Sequence, residues 1–140
     1  MRELFAKGKE AVDRNNMDYA FTIFLQILQQ EPAFYECREA LRMAQIKKSG
    51  SGGGFFKRIV STANPMLAKA QLTVRSNPDS ALVVAEQALN SDANNWSAHK
   101  LLAEAAMAME LPRTAILSLE LVRRNNPSDR DAAVNLAKAY

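Results

Sequence analysis

The sequence predicts an all-α protein built from antiparallel helical hairpins, and three observations predict it. Apolar residues recur at spacings of three and four, without the alternation of a strand. Good helix formers, namely Ala, Leu, Met, Glu, Gln, Lys and Arg, dominate most segments. Asn-Asn, Asn-Pro and Leu-Pro pairs punctuate these segments where helices would end and restart.

Taken in order, a first helix is expected over 2–14, stopped by Asn15-Asn16, because asparagine tolerates the left-handed conformation that closes a helix. A second is expected over 18–30, with Asp18 as its cap, Ala20, Phe24, Ile27 and Leu28 on one face, and Glu31-Pro32 as its end. A third, over 33–48, carries the stripe Phe34, Cys37, Leu41 and Ala44, which requires a neighbour. Ser49-Gly50-Ser51-Gly52-Gly53-Gly54 then reads as a flexible linker by composition, since it holds four of the five glycines. Further helices are expected over 65–75, 79–90, 96–110, 113–124 and 129–140. Pro78, Pro112 and Pro127 stand near helix starts, where a missing N–H does no harm.

These boundaries recur every 34 residues: Ala81 aligns with Ala115, Leu102-Ala103 with Leu136-Ala137, and the polar turn at 91–95 with that at 125–129. The first hairpin keeps the same internal distances, Ala20 standing as far from Pro32 as Ala115 from Pro127. The first unit reads Leu4, Gly8, Ala11, Ala20, Phe24 and Pro32, with Lys7 where leucine is usual. The next gives Pro65, Ala68, Lys69, Leu72, Ala81, Ala85, Ala88 and Ala93. His99, Leu102, Ala103, Ala106, Ala115, Leu119 and Pro127 follow, and then Ala133, Leu136, Ala137 and Tyr140. Over most of 1–32 and 62–140 this pattern resembles the tetratricopeptide repeat family. The resemblance implies a right-handed superhelix of helical hairpins, which this chain interrupts with an extra helix and a Gly-rich linker after the first hairpin.

Small residues at Gly8, Ala20, Ala81, Ala103, Ala115 and Ala137 would let paired helices approach closely, while Phe24 and Leu119 would wedge between successive hairpins. One irregularity divides the chain. Ala93, the equivalent of Pro32, comes 61 residues later instead of 34. The expected units are therefore 1–48, an N-terminal hairpin with its third helix; 49–61, the linker and a short amphipathic segment; and 62–140, the later repeats ending in a capping or truncated helix. By phase, the third helix is the first half of a repeat without its second half. It is left to cap the N-terminal hairpin or to pack beyond Gly54, and residues 1–48 form a unit that could move or be exchanged in a homodimer.

Composition narrows the function. With 140 residues, 48% hydrophobic, the chain can bury a core, and a net charge of +3 with 24% charged residues makes no dense basic patch, so nucleic acid is not the expected partner. Cys37 is the single cysteine and His99 the single histidine, which leaves neither a disulfide nor a metal set to expect. Gly50–Gly54 lacks the Gly-Lys-Ser/Thr of a phosphate loop, and no nucleophile, base and orienter set emerges. The charged N-terminus and the absence of a long apolar run predict a cytoplasmic protein, and the missing motifs predict neither cofactor nor catalysis. His99, Trp96 and Cys37 are expected to pack.

In the tetratricopeptide family the first helix of each hairpin lines an inner groove. The resemblance therefore implies that Phe5, Lys9, Val12, Lys100, Glu104, Met107, Val134 and Lys138 contact a protein or peptide partner, and that the chain is a scaffold or adaptor. The carboxylate clamp of the family's chaperone-binding members is not expected. Lys100 and Asn135 match two of its positions, but Glu104 stands where asparagine is needed and Phe5 where lysine is. The alternative is a self-assembling module. Phe55, Phe56, Ile59 and Val60, flanking Lys57 and Arg58, form a candidate docking segment for the solenoid, a partner or, least expected, a membrane surface.

Overall fold

The computed structural model describes residues 1–50, 65–125 and 127–140, and within them every regular element is a helix. The eight helices are α1 (Arg2–Asp13), α2 (Met17–Gln30), α3 (Tyr35–Gly50), α4 (Pro65–Thr73), α5 (Pro78–Ser91), α6 (Trp96–Ala108), α7 (Pro112–Asn125) and α8 (Arg130–Ala139). Successive helices pack as antiparallel neighbours, α1 on α2, α2 on α3, and then α4 through α8 in sequence. The docking segment Phe55, Phe56, Ile59 and Val60 lies outside the described residues, as does the linker beyond Gly50.

Local chemistry explains the boundaries. Asn15 closes α1 in the left-handed region at φ 61°, and its neighbour's amide, Asn16 N, returns to Ala11 O at 2.8 Å. The turn after α6 has the same construction: Glu110 is at φ 59°, and Leu111 N donates to Ala106 O at 2.8 Å. Asn95 and Asp129 cap α6 and α8 by accepting from Ala98 N and Ala132 N, each at 3.1 Å. Asp18 is not the cap of α2. That helix begins earlier, after Asn16, and Asp18 lies in its first turn, where a carboxylate suits the helix dipole and accepts from Lys48 Nζ at 2.9 Å.

Two separate apolar cores result. The N-terminal core gathers Ala11, Met17, Ala20, Phe21, Phe24, Ile27, Cys37 and Leu41 from α1–α3, with Phe5, Val12 and Phe34 packed at its margin. The second gathers Leu67, Leu82, Leu89, Leu102, Leu119 and Leu136 with many alanines from α4–α8. Ala20, Ala81, Ala103 and Ala115 are buried at helix crossings, as their size requires. Two positions of the repeat pattern differ. Ala137 is exposed on the face of α8 turned away from α7, and Leu72 is 88% exposed because it lies on the face of α4 turned away from α5 and α6.

Gly8 is where close approach is most demanding. A Cβ there would lie 2.9 Å from Phe24 Cδ1 and nearer still to Cε1, and the Phe24 ring is wholly buried, so it has no free space to move into. Gly8→Ala is therefore expected to lower unfolding free energy by about 1–3 kcal/mol through overpacking, although alanine is the better helix former by about 1 kcal/mol. Urea titration checks this. An unchanged or raised midpoint would show that α1 and α2 do not meet so closely.

Candidate functional site

Two places gather candidate side chains, a cleft bordered by α4, α6 and α8 and a buried polar cluster between the two cores. The cleft has a volume of about 720 Å³ and is bordered by α4, α6 and α8, with Gln71, Arg75, Ser97, Met107, Asp131 and Asn135 among its lining. Five of the residues singled out in the sequence converge there: Lys100, Glu104, Met107, Val134 and Lys138. Helical spacing is the cause, since 100, 104 and 107 share one face of α6, and 134 and 138 share one face of α8.

The cleft's charges are mixed and partly paired. Lys100 Nζ meets Asp129 Oδ2, and Arg75 Nε lies 3.8 Å from Glu104 Oε1. The Asp129 carboxyl is held below its ordinary range, first by the Lys100 hydrogen bond and then by the Ala132 amide. Met107 and Val134 are exposed apolar side chains between these charges. Phe5, Lys9 and Val12 are not brought to this cleft. The Phe5 ring packs 6.0 Å from Phe24 and 5.1 Å from Phe34, Lys9 lies over it at 5.4 Å, and Val12 is half-buried against the N-terminal core.

The buried cluster was not foreseen. Helix α3 packs its stripe of Cys37, Leu41 and Ala44 on α2, while the adjoining stripe of Arg38, Arg42 and Gln45 faces α5 and α7. All three polar side chains are at most 2% exposed, and so is Glu86 of α5. Arg38 Nη1 donates to Glu86 Oε2 at 2.9 Å, and Arg42 donates to both carboxylate oxygens at 2.8 and 3.1 Å. Gln45 Nε2 donates to Glu86 Oε1 at 3.2 Å and to Asn90 Oδ1 at 2.8 Å. Two guanidiniums and one carboxylate leave a net positive charge inside the protein. Among the described residues the Nε atoms of Arg38 and Arg42 have no acceptor.

The network extends into the second core. Arg42 Nη2 donates to Ser118 Oγ at 3.4 Å, and Ser118 lies 3.2 Å from His99 Nδ1. His99 Nε2 is 2.7 Å from the Ala93 carbonyl, which can only accept. Nε2 therefore carries the proton, and Nδ1 accepts from Ser118. His99 is thus a packing residue, stacked on Trp96 with ring centroids 5.5 Å apart. Burial foremost, with Arg42's charge acting in the same direction, lowers its pKa to about 4, against the Ala93 hydrogen bond and the carboxylates of Glu86 and Asp92. Burial alone would raise Glu86, but Arg42 and then Arg38 outweigh it and hold the carboxyl at about 2. Burial pushes the Cys37 thiol up to about 12, so it behaves as an apolar side chain.

Among the described residues no group of three or more His, Cys, Asp and Glu side chains is placed to hold a metal ion, and no helix is long and apolar enough to cross a membrane. Comparison with protein-family models, with curated proteins and with solved structures finds no match to this chain.

Removing one partner of a buried ion pair strands the other charge. Glu86→Ala is therefore expected to cost about 3–5 kcal/mol, whereas replacing Arg38 by Met and both Arg42 and Glu86 by Leu together costs far less. Denaturant unfolding of the two variants distinguishes them, and equal losses would contradict a buried cluster. The cluster also sets a pH response. His99 is neutral in the fold, so its contribution is complete above 6.5 and lost as pH falls from 6.5 to about 4. The Glu86 contribution is complete above 4.5 and lost as pH falls from there to about 2. The urea midpoint should decline across both windows, and His99→Gln should flatten the upper one. A native midpoint that is level between pH 6.5 and 4.5 would contradict the placement of His99.

Proposed function

We propose that α4–α8 form a tetratricopeptide-like array, part of a superhelix of hairpins, and that its cleft holds a segment of another polypeptide. The carrying observation is the convergence of Lys100, Glu104, Met107, Val134 and Lys138 on one cleft of about 720 Å³ bordered by first helices. In the family this sequence resembles, those helices line the groove. The 34-residue register supports the reading, since Ala81 and Ala115 occupy equivalent buried crossings. Lys100 and Arg75 already have carboxylates beside them, so an acidic peptide has no strong field to follow. The exposed Met107 and Val134 instead favour a segment that brings apolar side chains, with polar groups aligned along the rim.

Capture from lysate with cross-linking tests this, comparing the native chain with Met107→Glu/Val134→Glu. Both side chains are exposed, so the variant should melt within a few degrees of the native chain while losing at least about tenfold of its captured polypeptide, the equivalent of roughly 1.4 kcal/mol. Equal capture by the two would reject the cleft as the binding surface.

A further inference from the structure

We infer that two copies of this chain exchange their α1–α3 units, so that Arg38 and Arg42 of one copy close on Glu86 of the other. The inference stands apart from the cleft reading, because it concerns the α3 side of α5 and α7.

It rests first on how the molecule is divided. The cores of α1–α3 and of α4–α8 are separate clusters, each complete within its own helices. Between them, α2 and α3 lie on α5 and α3 on α7. Leu25 and Leu28 border one cavity with Leu82 and Val83, and Arg113 lies 3.9 Å over the Tyr35 ring. The described hydrogen bonds that join the units are Arg38, Arg42 and Gln45 on Glu86, Gln45 on Asn90, Arg42 on Ser118, and Ser49 Oγ accepting from Ala93 N at 2.9 Å. The two apolar clusters do not merge, so parting the units leaves each cluster joined within its own helices. The groups it exposes are those water solvates best, two guanidiniums, a carboxylate and two amides. A buried ion pair gains little over its solvated parts, yet it strongly disfavours wrong partners, which leave charge uncompensated. An interface built on such a cluster recloses only on its own complement.

That complement is present in every other copy of the chain. Residues 51–64 are the only covalent tie between α3 and α4, so the same set of bonds forms whether the Glu86 surface receives its own α3 or that of a second molecule. Closure within one molecule is favoured by an effective concentration of about a millimolar for a short tie. The native chain is therefore a closed monomer when dilute, and its exchanged dimer grows as protein concentration approaches that range.

Complementary charge reversal isolates the exchange. One full-length variant carries Arg38→Glu and Arg42→Glu, and the other carries Glu86→Arg. Neither can close on itself, but when mixed, the native α3 of the second meets the native Glu86 of the first, and the reversed pair matches too. Each variant alone should sediment as a monomer, and the equimolar mixture at micromolar concentration should double in mass. A mixture that stays monomeric while both variants keep native helicity overturns the proposal. Should either variant lose its helicity, native chains labelled with donor and acceptor dyes at the N-terminus decide instead. Energy transfer that rises toward millimolar concentration and is abolished by Glu86→Gln supports exchange. Transfer that is absent, or unaffected by that substitution, overturns it.

Discussion

One carboxylate, Glu86, connects two separately cored halves of this protein. Its two oxygens accept from Arg38, Arg42 and Gln45 of α3, and the chain of donors continues through Ser118 to His99 and the Ala93 carbonyl. Each group is buried and hydrogen-bonded to the next, so the geometry of each depends on its neighbour. The position of α3 on α5 and α7 follows from this arrangement. Burial in the same interior, foremost, and the Arg42 charge beside it depress the pKa of His99.

The rest of the fold serves to bring those side chains together. Small residues set the helix spacing: Gly8 under the Phe24 ring in the first hairpin, and Ala81, Ala103 and Ala115 in the later ones. Left-handed residues at Asn15 and Glu110 turn the chain in the same way at corresponding places. Helix α3 has no apolar side to spare for α5, because Cys37, Leu41 and Ala44 are already committed to α2. Its remaining inward face is polar, and only a polar acceptor of matching charge could be buried against it. The cleft between α4, α6 and α8 is left open to solvent by this docking.

Much of the fold was legible because helix ends are written locally. Asn15, Pro78, Pro112 and the capping Asn95 mark boundaries that the structure places within about two residues of expectation, the usual uncertainty of a helix end. The cleft residues were named through the family resemblance, and the helical period is why Lys100, Glu104 and Met107 share one face. Phe5 was misplaced with them because the pattern ranks it as a groove position, whereas Phe24 and Phe34 together offer its ring more apolar contact. The buried cluster was not legible from α3 alone. Arg38, Arg42 and Gln45 have the spacing of any solvated helix face, and only a distant acceptor makes them interior. The available signal was Glu86, a carboxylate set among Leu82, Ala85 and Leu89 on the buried face of α5.

The most direct measurement is a double-mutant cycle between Arg42→Met and Glu86→Gln, read from the free energy of unfolding in denaturant. Distant residues add to within about 0.3–0.5 kcal/mol. A shared buried cluster predicts a coupling energy above about 1 kcal/mol between these positions, 44 residues apart in sequence. Additive losses would contradict the joining of the two halves through Glu86.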